Sequence, residues 1–399
     1  MNYGVDTRME MRRPRIFYPE ALYKEKNMKL RLVATCLFGL EHLLGEEIDE
    51  LGYERVSTID GRVTFDADSD GVALANVFLR YAERIYVEVG RCHAETFDEL
   101  FEGVRAMPWA EYIGRDDEFP VSGHSIKSKL FSIPDCQAIV KKAIVTSMSE
   151  KYGIERFSET GTRYKIEFFI LNDSASLMID TSGTPLHKRG YRRESNAAPI
   201  RETLAAAIAK TARPREEVLL WDPLCGSGTI AIEAAMIMNN IAPGINRTFA
   251  AESFHFVGKK LFDSAKEEAM DVRVKSAFRA YATDIDKNCV ALTERNARAA
   301  GVSDSIKSFV MDCRKISAPG VRGTIVTNPP YGERLGTASQ VERLYKEMGE
   351  HFRSLAPWQV YIITSHPSFE RLYGKRADKV RKLYNGMIPC YLYQFFKNK

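Results

Sequence analysis

From residue 196 onward short apolar runs alternate with helical patterns, and no other feature restricts the fold of this 399-residue chain as strongly. A helix is expected over 201–211, just after Pro199, a residue that suits a helix start. Strands expected over 217–221, 278–283, 306–311, 323–327 and 359–364 are interleaved with helices over 229–238, 288–300 and 340–355. Strands alternating with helices form a mostly parallel sheet covered on both faces. Two last strand patterns, 380–384 and 387–396, flank Asn385-Gly386 and read as an antiparallel hairpin closing that sheet.

The N-terminal half reads differently. A strand over 29–35 leads to a helix over 39–51 with Leu40, Leu43, Leu44 and Ile48 on one stripe, stopped at Gly52. Strands over 55–59 and 61–65 flank Asp60-Gly61, a strong hairpin signal. This β-α-β-β start suggests a ferredoxin-like unit over 28–70. Residues 71–185 continue as a mixed α+β domain, with helices near 98–106 and 136–152 and strands over 118–122, 164–172 and 174–180. Residues 1–27 are polar and basic, lack the apolar stretch of a secretory signal, and are read as an extension.

Charge names no partner, since 57 Lys+Arg against 53 Asp+Glu leave only +4. No run approaches the roughly 18 apolar residues of a membrane span. Seven cysteines, at 36, 92, 136, 225, 289, 313 and 390, form no C-x-x-C pair, which points to a reducing cytoplasm. The seven histidines show no tight ligand spacing, so no metal is expected.

Chemistry enters at Asp222-Pro223-Leu224-Cys225-Gly226-Ser227-Gly228-Thr229, between a strand and a helix. Two glycines allow a tight turn and close backbone approach, and a helix N-terminus favours carboxylate or phosphate. Ala231 at the third fingerprint position leaves NAD open on spacing alone. Asp222, ahead of the glycines, would repel a pyrophosphate but suits an ammonium, which favours S-adenosylmethionine. At the next strand end Asp284, followed by Ile285 and Asp286, can accept from both ribose hydroxyls. Because 62 residues separate Asp222 from Asp284, an insertion is expected over about 240–276. Asp312, before Cys313, can accept from an adenine amine. Singly each Asp could cap a helix; at successive strand ends they converge on one crevice.

Asn328-Pro329-Pro330-Tyr331 follows the fourth strand. An exocyclic amine on a nucleobase is a poor nucleophile, its lone pair being delocalised into the ring. The Asn328 side-chain oxygen and the Pro329 carbonyl are two acceptors that can hold its N–H groups toward an electrophilic methyl. Pro330 stiffens the turn, and Tyr331 offers a ring for stacking a flipped base. A plain Pro-rich turn is the competing reading. The segment His187-Lys188-Arg189-Gly190-Tyr191-Arg192-Arg193 combines cations with an aromatic, which suits RNA backbone and base contact. Its composition equally fits a solvated basic linker, 186–198, between domains.

DPLCGSGT, TDID, MDC and NPPYGERL together resemble the class I S-adenosylmethionine-dependent methyltransferases of exocyclic nitrogens. Gly332-Glu333-Arg334-Leu335 and LHKRGYR followed by APIRETLAAA narrow this to the bacterial large-subunit ribosomal RNA guanine-N2 methyltransferase family, often labelled N6-adenine-specific DNA methylases. That resemblance implies a Rossmann-like methyltransferase domain over 199–399 and a THUMP RNA-binding domain over 71–185. It implies that Asp222, Gly226 and Gly228 surround the methionyl part of S-adenosylmethionine, and that Pro223, Cys225, Ser227, Thr229, Ile285, Cys313 and Asn328 also belong to the cofactor site. Asp284 then faces the ribose and Asp312 the adenine amine, while Asn328, Pro329, Pro330 and Tyr331 face the target base. Arg201 and Glu202 would fix the catalytic loop or cap the helix, and 23S-type ribosomal RNA would be the partner. Adenine N6 in DNA or RNA, a protein glutamine amide, a non-catalytic RNA-binding or assembly role, and an NAD enzyme are the competing readings.

Overall fold

β1 (Leu30–Cys36) buries Leu30, Leu32 and Ala34 in one core with the fully buried Leu44 and Ile48 of α1 (Glu41–Glu50), and Val33 in a small cluster with Tyr86 and Met178. The computed structural model, which describes residues 28–192, 199–318, 320–330 and 338–396, continues with β2 (Arg55–Ile59), β3 (Arg62–Ala67), α2 (Ser69–Phe78) and β4 (Ala82–His93). Their order β2-β3-β1-β4, antiparallel throughout, is the expected ferredoxin-like arrangement. The boundary expected at 70/71 falls inside α2, however, and the unit runs on into β4. The helix left no stripe to read because Ser69 and every residue from Gly71 to Val77 are buried. Asp68 caps it, accepting from the Gly71 N–H at 3.2 Å.

At 12 residues, β4 is long enough to serve two units. One stretch pairs with β1, and residues from Tyr86 onward pair with β7. After β4 come α3 (Phe97–Arg105), β5 (Val121–Ile126), α4 (Ile133–Tyr152), β6 (Ile166–Leu171) and β7 (Ser174–Asp180). A single seven-stranded sheet, β2-β3-β1-β4-β7-β6-β5, therefore spans the N-terminal half. The strand expected over 118–122 begins instead at Val121. Glu118 makes only an isolated bridge to Arg163, and Pro120 cannot donate to a ladder.

The C-terminal half contains α5 (Glu202–Thr211), β8 (Leu219–Asp222), α6 (Thr229–Met238), α7 (Lys259–Asp271), β9 (Ala280–Asp284), α8 (Lys287–Ala299), β10 (Ile306–Val310), β11 (Gly323–Thr327), α9 (Ala338–Ser354), β12 (Gln359–Thr364), α10 (Phe369–Tyr373), β13 (Lys379–Asn385) and β14 (Ile388–Phe395). The sheet order is β10-β9-β8-β11-β12-β14-β13, parallel up to β12, with β14 antiparallel between β12 and β13. All four parallel-strand tips from β10 to β11 thus share one edge.

The insertion between α6 and β9 clamps the halves together. Gly244 and Ala251 donate their N–H groups to Val77 and Thr181 carbonyls at 2.9 and 3.0 Å. Phe254 stacks on Tyr164 at 4.3 Å between ring centroids, and Phe256 meets Tyr112 edge-on at 5.4 Å. Such ring pairs each contribute about 0.5–1.5 kcal/mol beyond area burial. One apolar core consequently runs from Leu32 and Ile85 through Ile232 to Leu392. Among the described residues no helix is long and apolar enough to cross a membrane, and no group of three or more His, Cys, Asp or Glu is placed to hold a metal ion.

Candidate active site

Every residue of β8 is buried, and its last, Asp222, is only 1% exposed. The carboxylate accepts from Thr327 Oγ1 at 2.8 Å and from the Leu224 N–H at 3.3 Å. Burial, reinforced by the nearby Asp284 charge, nevertheless lifts this carboxyl from 3.8 to about 7. A buried carboxylate so short of stabilisation is ready for a cationic neighbour.

The turn after it needs its glycines. Gly226 and Gly228 hold φ of +54° and +78°. A Cβ on Gly228 would lie 2.5 Å from the Thr293 methyl. The Gly228 N–H closes the turn on the Cys225 carbonyl at 2.7 Å, and α6 begins at Thr229. From α8, Thr293 donates to the Gly226 carbonyl at 3.2 Å and Asn296 to that of Ser227 at 2.9 Å. These two residues escaped the sequence reading, because helix periodicity marks them only as buried positions. Cys225 and Cys313 are buried as well, and burial pushes both thiols up, the latter to about 12, so neither is a poised nucleophile.

Asp284 ends β9 within the same cradle. Its two oxygens accept from the Gly226 and Asp286 N–H groups, each at 3.0 Å. Ile285 beside it presents an apolar side chain that is 65% exposed. Beyond β10, Asp312 is gripped by Arg314, whose Nε lies 2.8 Å from Oδ1, and that guanidinium also reaches Glu347 at 2.8 Å. Arg314 holds the Asp312 carboxyl at about 2. Sequence reading missed Arg314, which an acid-x-Arg spacing could have flagged.

At the tip of β11, beside β8, Asn328 Oδ1 is buried with no hydrogen-bond partner among the described residues. Pro329 is buried, and the Pro330 carbonyl accepts from Tyr345 OH at 2.7 Å. That hydroxyl also meets Thr364 Oγ1 at 2.9 Å. Tyr345 is another residue the sequence hid, as one apolar position among several on the α9 stripe. Tyr331, Glu333 and Arg334 lie outside the described residues, as does Arg193. The structure thus brings Asp222, the glycine turn, Asp284, Asp312 and Asn328 to one edge.

The basic segment requires correction, since for most of its length it is neither an RNA-facing surface nor a solvated linker. Arg189 is 3% exposed and donates to the Leu186 and Arg80 carbonyls. Arg189 and Arg80 both approach Glu233 of α6, at 3.6 and 3.5 Å, and Tyr191 OH donates to it at 3.0 Å. Arg192 pairs with Glu202 at 2.7 Å and donates to Thr229 Oγ1 at 3.2 Å. His187 meets Glu83 at 2.9 Å, as Arg201 does at 2.7 Å and Thr203 at 2.5 Å. Buried charges are tolerable only when paired, and here the pairing bolts the N-terminal half to α6, the helix that follows the glycine turn. Of the described members only Lys188 and Gly190 are exposed.

Three family models tile the chain: a ferredoxin-like domain of the RlmL type over residues 31–86, a THUMP domain over 94–180, and an RMKL-like methyltransferase domain over 189–394. The Bacillus subtilis protein named "Putative RNA methyltransferase YpsC" is 44% identical over 371 residues, covering 92% of this chain and 96% of that one. The "Ribosomal RNA large subunit methyltransferase K/L" of Psychromonas ingrahamii is 33% identical over 364 residues, covering 89% of this chain but 48% of its own length. The chain thus spans about half of the K/L relatives it matches. The solved structure of "SMU.472, a putative methyltransferase complexed with SAH" superimposes with a TM-score of 0.87 at 40% identity, covering 94% of this chain and 100% of that one.

Proposed function

Because the chain belongs to the RMKL-like methyltransferase family, with ferredoxin-like and THUMP domains ahead of the catalytic one, we propose that it methylates an exocyclic amine of an RNA base. The methyl donor is S-adenosylmethionine, and the target is guanine N2 in large-subunit ribosomal RNA. The observation that carries this reading is the Asn328 side-chain oxygen, a buried acceptor without a partner among the described residues, next to the Asp222 cradle. Leaving such an acceptor unpaired costs about 1–3 kcal/mol, and an N–H of the substrate removes that cost.

The chain's own atoms fit the donor molecule. Asp222 offers a buried carboxylate for its ammonium, and at Gly228 the turn beside it leaves no room for a Cβ against Thr293. Each Asp284 oxygen accepts a single N–H in the described contacts, so lone pairs remain for ribose hydroxyls. Asp312 would take the adenine amine. When bound, S-adenosylmethionine supplies an electrophilic methyl on sulfur. Asn328 and the Pro329 carbonyl then orient the amine, and the Tyr345 hydroxyl keeps the turn from collapsing by holding Pro330. Positioning carries most of the rate enhancement, and no strong base is called for.

Labelled donor, unmodified ribosomal RNA and mass spectrometry of the product test the proposal. Transfer to guanine N2 is expected, with Asn328→Ala losing at least about a hundredfold in kcat. Product carrying N6-methyladenine would replace the guanine assignment, and no transfer to any RNA would end the RNA reading.

A further inference from the structure

A second cationic feature lies far from the segment singled out in sequence. Of the twelve residues 371–382, six are basic (Arg371, Lys375, Arg376, Lys379, Arg381, Lys382) and one is acidic. The net charge of this stretch, +5, exceeds the +4 of the whole chain. All six except the half-buried Lys375 are exposed. Among the described residues Arg371, Arg376, Lys379 and Arg381 have no ion-pair partner. Among the described residues neither neighbouring acid forms an ion pair with them: Asp378 accepts from the Phe396 N–H at 2.7 Å and Glu370 from the Ala377 N–H at 2.8 Å.

The stretch forms the last turn of α10, the link after it, and β13. Among the described residues β13 pairs only with β14, so its outer rim is the unpaired edge of the catalytic sheet, touched by the Phe38-Gly39 turn near Lys382 to Tyr384. The register ties that edge to the site. Lys382 lies opposite Tyr391, and Tyr391 lies opposite Thr364, whose hydroxyl shares Tyr345 OH with the Pro330 carbonyl. Two strand spacings put the Lys382 backbone roughly 10 Å from Thr364 across the sheet. At its C-terminal end β13 turns toward the site's own edge, where Tyr384 lies beneath the Lys382 ammonium and meets exposed Phe38 edge-on at 5.7 Å.

We propose that the cationic free edge formed by β13 and the residues leading into it is a docking surface for the RNA backbone, gripping phosphates that flank the target base. The proposal rests on the RNA reading above. Unpaired cations lined along an edge complement a polyanion, and an adjoining aromatic pair suits an unstacked base. Lysines on a free edge also discourage strand-to-strand aggregation, a role that makes no demand on RNA affinity.

Arg376→Gln/Lys379→Gln/Arg381→Gln separates the two roles. The control removes the same charge at the far end of the strands, as Lys275→Gln/Arg298→Gln/Arg322→Gln. Binding of an unmodified large-subunit ribosomal RNA transcript is measured by anisotropy from about 0.05 to 0.2 M salt, with S-adenosylhomocysteine calorimetry as the folding check. The edge triple is expected to bind RNA at least about tenfold more weakly, with a salt slope shallower by roughly 2–3, while the control and the calorimetry stay at parental values. Parental RNA affinity and slope in the edge triple, with or without aggregation, overturn the edge surface alone. A parent that binds no RNA overturns both the edge surface and the RNA reading beneath it.

Discussion

Replacing Asp222 by asparagine should strengthen the fold while weakening the site. The carboxyl is held at about 7 against 3.8 in an ordinary setting, and that difference favours the neutral form by about 4 kcal/mol. Between these two values the folded chain binds a proton that the unfolded chain has released, so stability falls as pH rises through that window. Integrated from about pH 5 to about pH 8, the loss is about 2–3 kcal/mol. Asparagine never ionises and escapes it, and its carbonyl oxygen can still accept from Thr327. Any misfit of the new amide is the same at every pH, so the slope carries the test. Urea unfolding of both proteins at several pH values, with no cofactor added, should show the variant gaining on the parent by about that amount. S-adenosylhomocysteine binding should fall about 10–100-fold, the value of a hydrogen bond between charged groups. Unfolding free energies that run parallel across this range would show that Asp222 is not a strained carboxylate, and the ammonium-seat argument would go with it.

Other perturbations separate the remaining parts. Glu233→Ala strands the buried Arg80 and Arg189 guanidiniums and should cost about 3–5 kcal/mol by urea unfolding; a loss below about 1 kcal/mol would mean the inter-half pairing is idle. Gly228→Ala combines a φ of +78° with the Thr293 contact and should lose about 1–3 kcal/mol of stability together with cofactor affinity, as read by thermal melts and calorimetry. In Tyr345→Phe the Pro330 carbonyl loses its donor, so kcat should drop while the S-adenosylhomocysteine Kd stays put. An unchanged kcat would make that hydroxyl purely structural.

Strand–helix alternation, the Asn385-Gly386 turn and the acid-Gly-x-Gly loop were legible because each is encoded within a few neighbouring residues. Three elements evaded the same reasoning for a physical reason. Helix α2 is buried nearly all round, β4 divides its length between two sets of partners, and α7 sits in an insertion whose role is to pack against α2. The segment from His187 to Arg192 is the clearest misreading. Its composition is that of a surface, yet Arg189 and Tyr191 are buried against a glutamate more than forty residues away.

By itself, the amino-acid order determined which side chains stand at which strand tips, since a motif following a strand in a parallel sheet can only emerge at that strand's C-terminal edge. The tertiary structure alone decided which charges are spent inside and which are left outside. Arg80 reaches the Ile241 carbonyl at 2.7 Å and the Glu233 carboxylate across the junction, whereas the cations of β13 meet no acid among the described residues. Desolvation explains the division. A charge enters the interior only where long-range packing delivers its partner, and local sequence carries no record of a partner so far along the chain.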